Sequence, residues 1–227
     1  MRIATWNCST GLAPNWKSLE DLDADVLTVQ ECRRDAKSFA ETHDGWTCEW
    51  QVGRVRKGVA VLARHPFGIE ETERSEPCAL SAVISGPNGL AFRFVGFWAM
   101  TPNGSDDTYP QQATDLIGWL AQDGLPTVLA GDFNASSRNT HHLRNVAALE
   151  TRKMVSAYHA YHGIAHTDPW EHPTSYHHWN KERPFHMDYV FIPALWGLQK
   201  VDVGRFEEFP AKRLSDHVPL TVTVSPL

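Results

Sequence analysis

Short apolar runs separated by polar turns organise most of the chain, and they carry two periods. Arg2 to Cys8 reads as an opening strand that ends in a polar turn at Ser9-Thr10-Gly11. Trp16, Leu19 and Leu22 recur three apart, the spacing of one helix face, so a short helix is expected over 16–22. Ala24 to Gln30 returns as a buried strand, with Val26, Leu27 and Val29 leading into Glu31. Trp46–Val52 and Gly58–Ala63 read as two more strands joined by the basic stretch Arg54-Val55-Arg56-Lys57-Gly58. Leu80–Ile84 and Leu90–Phe97 form an expected hairpin around Gly86-Pro87-Asn88-Gly89, a strong turn signal. A helix follows over Gln111–Leu120, then a short apolar run from Pro126 to Ala130 that stops at Gly131. His141–Glu150 is expected to be helical, and Met154–Tyr161 irregular or helical. Met187–Ile192 and His217–Val224 read as the closing strands. Many strands with few helices exclude a helical bundle and point to two packed sheets with helices over the outer faces.

Composition changes this picture little. The 227 residues are 42% apolar, and no linker, low-complexity tract or charge block divides them, so one domain over 1–227 is expected. The formal net charge is −6, from 21 Lys and Arg against 27 Asp and Glu. That balance argues against tight, sequence-blind binding to duplex DNA, and it suits a divalent metal among carboxylates. Four cysteines, Cys8, Cys32, Cys48 and Cys78, lack any C-x-x-C pairing and read as reduced thiols of a cytoplasmic protein. No stretch has the length and apolarity of a signal sequence or a membrane span.

Candidate chemistry collects where apolar runs end in polar side chains. In Gly131-Asp132-Phe133-Asn134, a carboxylate and a carboxamide two residues apart face the same way at a strand end. That pair suits polarising a water and steadying a phosphoryl oxygen, although alone it reads as an Asx turn. Four other places share the feature: Trp6-Asn7, Val29-Gln30-Glu31, His186-Met187-Asp188-Tyr189 and Ser215-Asp216-His217. A buried strand that runs into Glu31 needs a partner for that charge, and Arg33 or Arg34 would serve structurally. A turn at Ser215-Asp216-His217 would bring both Asp216 and His217 to one cleft, with Asp188 as the carboxylate that holds the imidazole.

Taken in order, Ala4-Thr5-Trp6-Asn7, Leu27-Thr28-Val29-Gln30-Glu31, Gly131-Asp132-Phe133-Asn134, Met187-Asp188-Tyr189 and Ser215-Asp216-His217 resemble the motifs of the endonuclease/exonuclease/phosphatase superfamily. Among its members the chain looks most like short exonuclease III-like bacterial proteins, a likeness that the stretch from Pro184 to Tyr189 supports. The resemblance implies an α/β (α+β) four-layer sandwich, two mixed sheets packed face to face and flanked by helices. It also implies a Mg²⁺ or Mn²⁺ site with Glu31 as principal ligand and Asn7 and Asp216 beside it. By the same likeness Asp132 orients or deprotonates the attacking water, and Asn134 supports the nucleophile or a phosphate oxygen. His217, steadied by Asp188, binds phosphate and stabilises developing charge.

Two positions depart from the pattern. Met100 precedes Thr101-Pro102-Asn103 where apurinic endonucleases have tyrosine, which leaves Asn103 as the phosphate contact. Ser9 stands where some relatives place a second metal-binding aspartate. Between Tyr158 and Tyr189 histidines and aromatics gather, and Tyr176, His178 and Trp179 are candidates to stack on a base or sugar. A zinc site built from these histidines would have neither cysteine partners nor a regular spacing. Arg54, Arg56 and Lys57 form the best basic strip, and Arg138, Asn139 and His141 are further phosphate-contact candidates. The expected activity is metal-dependent hydrolysis of a nucleic-acid or nucleotide-like phosphodiester. Two alternatives are hydrolysis of a phospholipid head group or small phosphorylated molecule, and a non-catalytic binding protein on a nuclease fold.

Overall fold

A computed structural model gives the fold and describes residues 1–9, 11–53, 56–71, 78–100, 108–120 and 124–227. One six-stranded sheet is built from β1 (Arg2–Asn7), β2 (Val26–Arg33), β3 (Trp46–Val52), β4 (Lys57–Arg64), β13 (Gly197–Val203) and β14 (Leu220–Ser225), in the order β13-β14-β1-β2-β4-β3. The other is built from β5 (Gly68–Glu71), β6 (Ala79–Ser85), β7 (Ala91–Trp98), β8 (Thr127–Asp132), β9 (Met154–Ser156) and β12 (Asp188–Pro193), in the order β5-β6-β7-β8-β12-β9. A two-stranded ribbon joins β10 (Ser175–Tyr176) to β11 (Pro184–Phe185). The helices are α1 (Leu12–Glu20), α2 (Ala36–Ala40), α3 (Tyr109–Trp119), α4 (Thr140–Thr151) and α5 (Ala157–His162).

The alternation of side chains along each strand creates the layers. Ile3, Val26, Val59, Val61, Phe92, Phe94, Val128, Ala130, Val190, Leu220 and Val222 meet in one core between the sheets. Their neighbours in sequence point outward. Trp6, Leu27, Val29 and Leu62 pack under Leu12, Trp16 and Leu19 of α1 and Ala36 and Ala40 of α2. Val95, Phe97, Leu129 and Phe133 pack under Ala113, Leu116 and Ile117 of α3 and Val146 and Leu149 of α4. The result is the expected α/β sandwich: two mixed sheets face to face, with helices outside.

Several expected boundaries move. α1 starts at Leu12 and ends before Leu22, and Pro14 sits in its first turn, where a missing N–H breaks no intrahelical bond. The strand expected to stop at Gly131 continues to Asp132, because Gly131 lies at φ 154 directly beside Phe97 of β7. The irregular or helical stretch expected over 154–161 is a short strand, β9, followed by α5. The closing strand begins at Leu220, and His217 instead forms an isolated bridge with Ser175. All four cysteines are buried, and burial pushes the Cys8 and Cys48 thiols up to about 12. No helix among the described residues is long and apolar enough to cross a membrane.

Candidate active site

Side-chain parity and strand direction together place the candidate residues at one end of the inter-sheet core. Asn7 shares parity with Ile3 and Thr5, Asp132 with Val128 and Ala130, and Asp188 with Val190 and Ile192, so all three point between the sheets. β1 and β2 run parallel, Asn7 lies opposite Gln30, and Asp188 lies opposite Asp132 on the antiparallel pair β12 and β8. Glu31 is displaced from regular pairing. The β2–β4 register shifts between Gln30 and Cys32, and Glu31 sits in that bulge at φ 60.

The Asn7 amide links the two sheets. Its Nδ2 donates to Glu31 Oε1 at 3.1 Å and to Asp132 Oδ2 at 3.0 Å. Asp132 is sealed from solvent and heavily bonded: Oδ1 accepts from the Asn134 backbone N–H at 2.8 Å, and Oδ2 also accepts from Asn134 Nδ2 at 3.0 Å. Asn134 reaches this position in a left-handed conformation, φ 46, and its Nδ2 also donates to the Ala99 carbonyl. On the other side, His217 Nδ1 meets Asp188 Oδ2 at 2.9 Å, and its Nε2 lies 4.0 Å from Asp132 Oδ2. Thr174 Oγ1 accepts from the backbone N–H of both Met187 and Asp188, which fixes the carboxylate facing His217.

Charge follows from this packing. Burial opposes charging His217, yet the carboxylates of Asp188 and Asp132 outweigh it and lift its pKa to about 10. Burial pushes the Asp132 carboxyl up to about 7, against the lowering effect of His217. The imidazole is therefore held as a cation between two acids, with both ring nitrogens as donors. Asp132, Asp188 and His217 also bring ligand-type atoms within 4.8 Å of one another, a grouping able to take a metal ion only if the imidazole gives up a proton.

The other sequence candidates are placed unevenly. Asp216 is half-buried at the same end, next to Ser215, whose hydroxyl donates to the Asn7 carbonyl at 2.6 Å. Its charge acts on both His217 and His177. Tyr176 is buried and packs edge-on against Phe206, so its ring contributes to the core rather than to an open face. His178 is exposed, and Trp179 lies under the Arg213 guanidinium at 5.5 Å. Arg138 is exposed, with its guanidinium 5.9 Å from the Trp170 ring and 5.8 Å from the Phe185 ring. Asn103 and Arg54 lie outside the described residues.

Two contributors carry no sequence signal of their own, and a third, Lys57, reads in sequence only as part of a basic strip. Ser175 Oγ meets His217 Nε2 at 3.2 Å across 42 positions of chain, Thr174 holds Asp188, and Lys57 pairs with Glu31. Only the strand pairing of the folded chain reveals them. Most histidines of the 158–189 segment pack on one another instead of facing the cleft: His159 stacks on His166 with ring centroids 3.7 Å apart, and Tyr158 lies 4.3 Å from His186. Burial pushes His142 and His186 down to about 4 and His159 to about 2, so these three rings are neutral.

The two-sheet sandwich thus gathers acids, amides and a histidine at one end of its core. The chain belongs to the Endonuclease/Exonuclease/phosphatase family, whose pattern matches residues 4–217. No curated protein matches it by sequence. Its fold is similar to the human nocturnin catalytic domain with bound sulfate, at 17% identity and TM-score 0.74 over 99% of this chain and 94% of that one. It is similar also to the 3′ phosphatase NExo from Neisseria bound to a product DNA hairpin, at 17% identity and TM-score 0.71 over 100% of both chains. A mannosyl-6-phosphatase from Bacteroides thetaiotaomicron matches at 15% identity and TM-score 0.67, again over 100% of both.

Proposed function

We propose that this chain is a divalent-metal-dependent phosphodiesterase acting on nucleic acid or a nucleotide-like phosphodiester, in the manner of exonuclease III-like nucleases. The observation that carries the reading is the Asn7 amide bridging Glu31 to Asp132, with His217 clamped between Asp132 and Asp188. Glu31 fits a Mg²⁺ or Mn²⁺ ligand. Its carboxylate is 24% exposed at the cleft, its donor atoms are hard oxygens, and it already faces a positive charge from Lys57. Asn7, which donates to Glu31, and Asp216 are the further candidate ligands, and so sparse a set suits Mg²⁺, which keeps waters and substrate phosphate as its other ligands. When bound, the metal supplies neutralisation of phosphate charge and stabilisation of the leaving oxygen.

The residues do the rest by position. Asp132 Oδ2 and His217 Nε2, 4.0 Å apart, can both hydrogen-bond one oxygen set beside them. Asp132 orients the attacking water and takes up its proton at Oδ2, while Asn134 and Asn7 fix the carboxylate plane. The His217 imidazolium donates from Nε2 to a phosphate oxygen, and Asp188 keeps that cation in place. Arg138 and Trp179 are the proposed contacts for the substrate beyond the reacting phosphate.

The test is hydrolysis by wild type, Asp132→Asn and His217→Ala with Mg²⁺ or Mn²⁺ against single- and double-stranded DNA, RNA, sphingomyelin, inositol phosphates and a sugar phosphate. Nucleic-acid cleavage that falls by about 10² or more in either variant supports the proposal. Full activity in either variant ends it. A second reading, a phosphatase of small phosphorylated molecules, draws on the net charge of −6 and the sugar-phosphatase likeness. Cleavage of the small phosphoesters alone would select it.

A further inference from the structure

Lys57 brings a cation directly onto Glu31, the candidate principal metal ligand. Its Nζ donates to Glu31 Oε2 at 2.5 Å and to the Ser9 carbonyl at 2.7 Å. Both acceptors sit on left-handed backbone, Glu31 at φ 60 and Ser9 at φ 53, so each is turned out of its regular strand or turn course toward the ammonium. Ser9 is anchored in that course by its own N–H, which donates to Asn7 Oδ1 at 3.1 Å. Lys57 is the first residue of β4, opposite Arg33 and just beyond the bulge that displaces Glu31. Bulge, turn and lysine therefore form one device.

Charge defines what the device does. Glu31 is held on one oxygen by a neutral amide, from Asn7, and on the other by a full positive charge. A divalent cation arriving at this carboxylate must displace the ammonium from Oε2 or lie against it, and like charges at such range repel. Among the described residues two of the three ammonium N–H groups are engaged, and the side chain is 36% exposed, so it has room to leave Glu31. Lysine is a flexible point charge able to follow a phosphate.

We infer that Lys57 is a tethered counter-cation that occupies the metal carboxylate of Glu31 in the metal-free protein and is displaced toward the substrate phosphate when a divalent cation binds. The inference rests on the reading of Glu31 as a metal ligand. It sets metal affinity and substrate affinity in opposition at one side chain: Lys57 weakens the first and strengthens the second.

The experiment is calorimetric titration of the full chain with Mn²⁺ for wild type, Lys57→Met, Lys57→Gln, Lys57→Arg and Glu31→Gln, with metal-free melting curves to confirm folding. Both neutral variants are expected to bind Mn²⁺ about tenfold more tightly than wild type, the arginine variant to match wild type, and Glu31→Gln to lose binding. The KM for a phosphodiester substrate is expected to rise in the neutral variants while the Mn²⁺ dissociation constant falls. A merely structural lysine would not move the two in opposite directions. Mn²⁺ affinity that is unchanged or weaker in folded Lys57→Met and Lys57→Gln, with binding lost in Glu31→Gln, overturns the role of Lys57 alone. Wild-type Mn²⁺ affinity in Glu31→Gln overturns the metal-ligand reading, and the role of Lys57 with it.

Discussion

Replacing Gly131 by alanine tests how the fold brings Asp132 to the cleft. Gly131 adopts φ 154, a region open to glycine and strained for other residues. A Cβ built there would stand 1.9 Å from the Phe97 carbonyl oxygen, 2.7 Å from its carbon and 2.9 Å from the Phe97 nitrogen. All three are backbone atoms of β7, the parallel neighbour paired with β8 at that position, so no flexible side chain can yield. Relief requires either a new φ at Gly131, which swings Asp132, or a separation of β7 from β8. The strained backbone costs about 1–3 kcal/mol. Loss of one or two ladder hydrogen bonds adds about 1–2 kcal/mol. Loosened packing between Phe97 and Phe133, now edge-on at 4.9 Å, adds about 0.5–1.5 kcal/mol. A total near 4 kcal/mol is a large share of the roughly 5–15 kcal/mol that holds a domain together. For a chain of this size each kcal/mol moves the melting midpoint by about 2–4 °C, so a fall of about 8–16 °C is expected in scanning calorimetry. A Gly131→Ala midpoint within about 2 °C of wild type would refute the close-approach argument.

Two further outcomes follow from buried charge. His142 and His159 are held neutral in the fold by burial, with pKa values near 4 and 2, whereas the unfolded chain protonates them near 6.5. The unfolded state therefore binds more protons below pH 6.5, and stability falls with pH by about 2 kcal/mol per histidine between pH 7 and 5. Urea unfolding at the two pH values reads this, and His142→Phe should reduce the difference by that amount; an unchanged difference would show that His142 does not carry it. Separately, Asp188→Asn removes the carboxylate 2.9 Å from His217 Nδ1, and kcat should drop by about 10² or more with KM nearly constant. A kcat within about threefold of wild type would remove Asp188 from the reaction.

Strand alternation made the layers legible before any coordinates. Val128, Leu129 and Ala130 divide between the inner core and the outer helices as a period of two requires, and the Trp46–Val52 strand has the bounds its pattern indicates. The same parity places Asn7, Asp132 and Asp188 between the sheets, and their strand-end positions bring them together. What escaped has a common cause. Gly197–Val203 is a mostly exposed edge strand with no alternating pattern, β10 and β11 are two residues each, and α2 is five residues long. Ser175, Thr174 and Lys57 act through contacts 13 to 42 positions away in the chain, which no local pattern encodes. Tyr176 reads as a stacking candidate because an aromatic near the Asp188 motif carries no mark of its burial; in the fold it is buried and meets Phe206 edge-on.

Anomalous diffraction from a crystal soaked in Mn²⁺ tests the arrangement most directly, because two sets of ligand atoms compete for one ion. The account predicts a peak bonded to a Glu31 oxygen, with the Asp188–His217 hydrogen bond intact beside it. A peak bonded instead to Asp132, Asp188 and His217, with Glu31 still paired to Lys57, would contradict it.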